Sequence, residues 1–102
     1  MIHKVFAVYD LKTCAYLQPF FSGHTGGAMR AFGDAVADSS SPFAKHPGDY
    51  QLFEIGLWDD NVGELQGLNP VKVLCSAADY VVHEKVKPSI LNGADKVLEG
   101  VR

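Results

Sequence analysis

The sequence is poor in cysteine and contains no long apolar run. Only Cys14 and Cys75 occur among 102 residues, whereas a short secreted scaffold carries several cysteines at close spacing. We therefore expect two small buried hydrophobic side chains and no disulfide. No apolar stretch approaches the roughly 18 residues that cross a membrane, and the N-terminus lacks the apolar core of a signal peptide. These absences predict a cytoplasmic protein that does not contact membranes.

Positive charge is also scarce. Nine Lys/Arg residues against twelve Asp/Glu residues give a net charge of −3, and the isoelectric point is about 5.7. Avid nonspecific binding to nucleic acid normally requires a basic surface, so the total charge argues against it and leaves only a local basic patch. The charge is uneven, because residues 1–80 hold five basic and nine acidic residues, net −4, whereas residues 81–102 hold four and three, net +1.

Groups that catalyse reactions or bind metals are few and scattered. The four histidines do not pair with Cys or carboxylate residues at the spacing of zinc sites. The glycines of SGHTGGAMR precede a predicted helix, but they match neither the phosphate-loop nor the dinucleotide-binding pattern. Asp59, Asp60 and Glu64 flank a turn, where carboxylates usually face solvent. The sequence predicts a protein that is not an enzyme and that needs no metal or cofactor.

The first half of the chain predicts two strands and a helix. Residues 2–9 would be apolar on both faces, which is typical of a central strand, and residues 13–17 are expected to pair with them as a hairpin. Residues 20–23 are expected to form a loop after the proline that ends the second strand. Apolar residues at helical spacing predict a helix over 26–38, with Thr25 as its N-cap.

The second half predicts another hairpin followed by helices. Residues 43–48 are expected to be irregular, and residues 50–58 alternate as a third strand. An acidic turn over 59–63 leads to a fourth strand over 64–68. Beyond Pro70 the pattern is ambiguous between strand and helix, and we favour a short helix over about 75–84.

This order of elements predicts the architecture. Two β-hairpins flanking a helix, in the order ββαββ, imply an α+β fold in which an antiparallel sheet is covered by helices on one face. Residues 1–84 are expected to form a single domain. Residues 85–102 are expected to add a C-terminal helical extension that docks on the domain or joins copies of the chain.

Aromatic residues give the best indication of function. The chain has one Trp, four Tyr and six Phe residues, more than a small core needs. Aromatic rings beside Lys or Arg form a platform on which single-stranded bases stack; alternatively, most of these rings fill the core or a dimer interface. The candidate nucleic-acid-binding residues are Lys4, Tyr9, Tyr16, Phe20, Arg30, Lys45, Tyr50 and Trp58.

Three segments resemble a known family. The segments IHKVFAVYD-KT-AYLQPFF, G-AMRAFGDAVAD and KHPGDYQLFEIGLWDDNVGEL are together similar to the small nonstructural protein of gokushoviruses, which are single-stranded DNA phages of the microvirus group. The resemblance covers roughly residues 1–80. It implies a protein that is made in the bacterial cytoplasm, is absent from the virion and binds DNA during genome replication or the switch to packaging. It supplies no catalytic residues to transfer.

Two functional hypotheses follow. The first is a non-enzymatic protein that binds single-stranded DNA, with aromatic residues stacking on bases and Lys4, Arg30 and Lys45 contacting phosphates. The second is a protein–protein interaction module, either a homo-oligomer or an adaptor for a host or phage protein, that uses the same aromatic residues and the C-terminal extension. The surplus of aromatic residues fits both hypotheses, whereas the acidic net charge counts against the first.

Overall fold

A computed structural model of the protein describes residues 1–81. The chain forms five strands, two α-helices and two single turns of 3₁₀ helix. In chain order, these elements are β1 (Ile2–Asp10), β2 (Ala15–Tyr16), β3 (Phe20–Ser22), α1 (Thr25–Ala37), α2 (Pro42–Lys45), a 3₁₀ turn (Pro47–Asp49), β4 (Tyr50–Asp59), β5 (Glu64–Ser76) and a second 3₁₀ turn (Ala77–Tyr80). The predicted α+β class with an antiparallel sheet is confirmed.

Strand β1 lies at the centre of a curled antiparallel sheet. It pairs with β4 along its whole length, from Ile2 opposite Asp59 to Asp10 opposite Tyr50. Its other edge pairs with β2 near one end and with β3 near the other, and β5 extends the sheet beyond β4. The run from Val5 to Val8 is buried because both faces of a central strand are covered.

The core lies between one face of the sheet and α1. Phe6 and Leu52 are completely buried and meet the side chains that α1 presents every fourth residue, Ala28, Phe32 and Val36. This spacing places one side chain per turn on a single face of the helix. We call this face of the sheet the helix side. The second 3₁₀ turn also packs here through the buried Ala77.

The helix begins differently from the prediction. The N-cap of α1 is His24, which makes no capping hydrogen bond through its side chain, and Thr25 is the first helical residue. The hydroxyl of Thr25 instead accepts a hydrogen bond of 3.0 Å from the ammonium group of Lys4. Thr25 therefore ties the start of α1 to β1, a long-range contact that the local sequence does not indicate.

Two predictions near β2 are wrong. Residues 20–23 were expected to be a loop, but Phe20–Ser22 pair with β1 and form β3. Phe20 lies opposite Phe6 and stacks on it with ring centroids 5.7 Å apart. The second strand is shorter than residues 13–17, because a tight turn occupies its first residues. In that turn the Asp10 carboxylate accepts the backbone N–H of Lys12 at 2.9 Å, and Cys14 has a φ of 57°.

Two further predictions fail after α1. Residues 43–48 are not irregular, because Ser41 caps the short helix α2 by accepting the N–H of Ala44 at 3.2 Å. The fourth strand does not stop at residue 68. It continues to Ser76. Pro70 falls among residues 68–71 of β5, which have no ladder partner between the Glu54–Lys72 and Gly56–Gly67 pairs, so its missing N–H costs no ladder hydrogen bond.

The helix predicted over about 75–84 is also wrong in its described part. Ser76 ends β5 and caps a 3₁₀ turn together with Asp79, whose carboxylate accepts the N–H of Ser76 at 2.9 Å. The predicted extension over residues 85–102 lies outside the described residues. Within residues 1–81, no helix is long and apolar enough to cross a membrane.

A β-bulge at Ile55 interrupts β4. Val5 is opposite Gly56, but the next residue of β1, Phe6, is opposite Glu54. The backbone of β5 passes so close to the bulge that a Cβ on Gly56 would lie 2.6 Å from the carbonyl oxygen of Gln66. Only glycine fits this position without a backbone shift.

We predict that Gly56→Ala destabilises the protein by about 1–3 kcal/mol, because the new methyl group forces the two strands apart. Gly67→Ala is the matched control, since Gly67 pairs with Gly56 but its Cβ would come no closer than 4.0 Å to the Ile55 carbonyl oxygen. Its effect should stay within about 0.5 kcal/mol. Chemical denaturation measures both variants, and equal losses would contradict the close contact at Gly56.

The side chain of Tyr80 gives a pH-dependent prediction. Burial, followed by the contact of its hydroxyl with the Cys75 thiol at 3.6 Å, raises the pKa of Tyr80 from 10.0 to about 12. Because the folded-state pKa is the higher one, the stabilisation is complete below pH 10 and is lost as the pH rises towards 12. Tyrosinate absorbance should therefore show a late titration step that Tyr80→Phe removes. Persistence of that step in the variant would assign it to another tyrosine.

Candidate binding face

The face of the sheet opposite the helix side carries a cluster of three aromatic rings. Tyr9 of β1 lies directly opposite Tyr16 of β2, with ring centroids 4.7 Å apart. Phe53 of β4 contacts both, at 6.1 Å from Tyr9 and 5.5 Å from Tyr16. Tyr16 remains 46% exposed. The cluster therefore leaves Tyr16 exposed and Tyr9 and Phe53 half-buried.

A second aromatic pair lies near the other end of the same face. Phe21 of β3 and Trp58 of β4 have ring centroids 6.4 Å apart, and Phe21 is 56% exposed. Leu65 of β5 lies directly opposite Trp58 and is exposed as well. We call the surface formed by Tyr9, Tyr16, Phe21, Phe53 and Trp58 the aromatic face.

A shallow depression of about 310 Å³ separates the two groups of rings. Val5, Pro19, Ile55 and Leu65 provide its apolar walls, while Gly56 and Gly67 leave space for it where the bulge interrupts the ladder. The lack of a Cβ at Gly56 thus has two effects. It permits the close approach of β5, and it leaves a hollow in an otherwise apolar surface.

The bulge determines which way Trp58 points. Simple alternation along β4 places Trp58 on the same face as Leu52, which is in the core. The extra residue at Ile55 shifts the alternation by one, so Leu57 pairs with Lys4 on the helix side and Trp58 pairs with His3 on the aromatic face.

The aromatic face is apolar and carries little charge. In the described strands, neither Lys nor Arg occupies a position on this face. Lys12 lies in the turn between β1 and β2, three residues after Tyr9. The pKa of Tyr9 is raised, first by burial and next by the neighbouring Cys14 thiol. Contacts through this face therefore depend on ring stacking and apolar packing.

The N-terminus and Asp60 form an ionic contact at the Trp58 end of the sheet. The Asp60 carboxylate accepts a hydrogen bond of 2.6 Å from the terminal ammonium group and lies 2.9 Å from Nε2 of His3. These two contacts lower the pKa of Asp60, and the contact with the terminal ammonium group has the larger effect. They attach the β4–β5 turn to the start of β1.

Other predicted site residues lie on the helix side. The ammonium group of Lys4 is held by Thr25 and lies 3.9 Å from the buried Glu54 carboxylate. Phe20 is stacked on Phe6 in the core. Tyr50 packs edge-on against Phe43 with ring centroids 4.9 Å apart, and its pKa is raised mainly by burial.

The two remaining predicted cations lie on helices outside the sheet. Arg30 is exposed on α1, and Lys45 is exposed at the end of α2. The structure therefore groups Tyr9, Tyr16 and Trp58 on one face and leaves Lys4, Phe20, Arg30, Lys45 and Tyr50 on the other side of the sheet. Assignment of these eight residues to nucleic acid stays a prediction.

Sequence reasoning missed Phe21 and Phe53 as members of the candidate face. Phe53 alternates with the core residue Leu52, which was a usable signal. Phe21 was assigned to a loop, and its direction is set by pairing with Val5. In the part of the chain that the structure describes, no three His, Cys, Asp or Glu side chains are grouped to hold a metal ion.

Comparison with known proteins identifies a family. A family model described as Phage ORF5 protein matches residues 3–80, which includes every described strand and helix apart from the first residue of β1. Neither the curated proteins nor the solved structures contain a match to this chain. Since the match covers most of the chain, the protein belongs to the Phage ORF5 family and is a phage protein.

Proposed function

We propose that this phage protein is a non-enzymatic, single-stranded DNA-binding protein of the gokushovirus type. It acts in the host cytoplasm, in genome replication or in the switch to packaging. The observation that supports this proposal best is the grouping of Tyr9, Tyr16 and Phe53 on an exposed sheet face. The resemblance of residues 1–80 to gokushovirus nonstructural proteins supplies the expectation that the ligand is DNA.

Ring stacking would provide most of the binding free energy. Stacking of a base on an aromatic side chain is worth about 1–3 kcal/mol and tolerates any base. The aromatic face offers rings in two groups separated by the depression. A single strand crossing from Tyr16 to Trp58 would stack at both ends, and this mode of binding favours unpaired bases over a duplex, whose bases are already stacked.

Electrostatic attraction would contribute little. The net charge is −3, and the described strand positions on the aromatic face lack Lys and Arg. Lys12, in the turn beside Tyr9 and Tyr16, is the cation best placed to contact a phosphate there. Each phosphate contact to a single strand contributes a salt slope of about −0.7. We expect modest affinity with a shallow dependence on salt.

The second candidate function is protein–protein interaction through the same face. It is favoured by the exposure of Phe21, Leu65 and Val73, all on the aromatic face, because an uncharged apolar surface suits a protein partner or a second copy of the chain. Self-association would not bring like charges together. This candidate predicts a change in molecular mass, whereas the first predicts binding of an oligonucleotide.

The first test is a substitution at Tyr16, which is exposed and contributes little to the core. Tyr16→Ala should weaken binding of labelled oligothymidine by about five- to 150-fold, the range that corresponds to one lost stacking contact. Tyr16→Phe keeps the ring and should bind as the parent protein does. Fluorescence anisotropy at low salt measures affinity, and quenching of Trp58 reports contact at the other end of the face.

The controls separate the two candidates. Light scattering on the same proteins shows whether Tyr16→Ala changes the oligomeric state. Absence of oligonucleotide binding at low salt with tens of micromolar protein would reject the DNA proposal. A smaller mass for Tyr16→Ala than for the parent, without DNA binding by either, would support the interaction module.

The second test concerns the cations. Arg30→Ala combined with Lys45→Ala should leave both affinity and salt slope nearly unchanged, because these residues lie on the helix side. Lys12→Ala should make the slope shallower by about 0.7. A salt slope shallower by about 1.4 in the double variant would instead mean that Arg30 and Lys45 both contact phosphates, as the sequence predicts, and that DNA reaches the helix side.

A further inference from the structure

Strand β5 forms one edge of the sheet. It is the last strand in the order β2–β1–β4–β5, and within residues 1–81 no strand pairs with its outer side. It has 13 residues, whereas most strands have about 3–10. An edge strand presents a row of backbone N–H and C=O groups that can pair with another chain. The opposite edge consists of the short strands β2 and β3, so β5 is the longer template for an added strand.

Two exposed apolar side chains lie on β5 at the aromatic face. Leu65, opposite Trp58, is 65% exposed. Val73, opposite Phe53, is 54% exposed. One lies in the first half of the strand and the other in the second half. Apolar side chains that remain exposed along an edge strand favour association with a further strand.

The strand also carries one acidic and one basic side chain, both exposed and both on the helix side. Lys72 lies opposite Glu54, which is a helix-side residue. Glu64 shares a face with Gln66, which lies opposite Leu57 on the same side. When a strand pairs antiparallel with a copy of itself, the start of one strand meets the end of the other. The acidic end of β5 therefore meets the basic end of the second copy.

One register of this self-pairing covers the exposed apolar side chains. With Asn69 at a two-fold axis, residues 64–67 of one copy lie opposite residues 71–74 of the other. Leu65 is then directly opposite Val73 of the second copy, and symmetry supplies the reciprocal contact. Directly opposed side chains on one face are the contacts that stabilise a pair of strands.

The same register accommodates the two residues that oppose edge pairing. Lysine and proline on an edge strand normally prevent association. Here Lys72 lies opposite Gln66 of the second copy and diagonal to its Glu64, within reach of a long side chain. Pro70 lies near the axis, between the two paired stretches, where its missing N–H interrupts neither of them. Other registers lose one or both of these arrangements.

We propose that two copies of the protein associate through β5, antiparallel across a two-fold axis at Asn69, with Leu65 against Val73 and Glu64 near Lys72. The axis is perpendicular to the sheet, so the two sheets become one and both aromatic faces remain exposed on the same side. The association uses the edge of β5 and not the aromatic rings. It is therefore distinct from the second candidate function and independent of the proposed DNA binding.

The first test makes the same substitution at two exposed valines of the full-length protein. The mass of the parent in sedimentation experiments should approach twice the chain mass of 11.1 kDa as the concentration rises. Val73→Asp should weaken the dimer by about two- to thirty-fold, the range for two lost cross-strand contacts. Val62→Asp, in the turn before β5 and 69% exposed, should leave it unchanged. Leu65→Asp repeats the test at the other contact residue, and circular dichroism confirms that each variant is folded.

The second test exchanges the charges. Lys72→Glu should weaken the dimer, because it brings two carboxylates together at each end of the paired strands. Adding Glu64→Lys to the same chain should restore the dimer. Both variants carry the same change opposite Glu54 of their own chain, so recovery in the double variant reports contact between copies and not repair of the fold.

The outcomes separate this dimer from the alternatives. Selective loss in Val73→Asp and Leu65→Asp, with recovery by the charge exchange, supports the proposal. A parent mass that stays at 11.1 kDa up to millimolar protein overturns it. A dimer that survives both aspartate substitutions but dissociates in Tyr16→Ala uses the aromatic face, which also overturns it. Loss of oligonucleotide binding in Tyr16→Ala with the dimer intact supports the proposal and assigns DNA binding to a separate surface.

Discussion

The pairing of β1 with β4 is the contact on which the rest of the structure depends. Both strands are apolar on the two faces of the sheet, so each face needs cover or a partner. On the helix side, α1 packs Ala28, Phe32 and Val36 against Phe6 and Leu52. On the aromatic face, the rings of Tyr9, Tyr16 and Phe53 cover one another only in part. The difference between the two faces is the origin of the candidate binding surface.

The sequence was sufficient for elements whose pattern is local. The sequence indicated the strand period of β4, the acidic turn, and the helical spacing of Ala28, Phe32 and Val36 in α1. It did not indicate strand β3, because these three residues become a strand only through pairing with β1. The course of β5 through Pro70 was also unpredictable. The residues around Pro70 have no ladder partner, so the missing N–H of proline is tolerated, and nothing in the local sequence indicates this irregular segment.

The candidate site was predictable in composition but not in arrangement. Tyr9 and Tyr16 were named as candidates because an aromatic surplus is visible in the sequence. Their separation from Arg30 and Lys45 depends on which side of the sheet α1 and α2 pack, and this is a property of the whole fold. Trp58 belongs to the aromatic face only because of the bulge. A surface of aromatic rings without cations suits ligands that offer flat or apolar groups, whether unpaired bases or a protein.

The bulge at Ile55 also constrains the length of β4. Because one extra residue inverts the direction of every later side chain in the strand, removing a residue there would turn Leu57 towards the aromatic face and Trp58 towards α1. Residues on both sides of the bulge could change in identity and still keep their faces. The number of residues between Leu52 and Trp58 could not change without turning the side chains after the bulge to the opposite face. In this segment the count of residues is therefore as much a determinant of the surface as their chemistry.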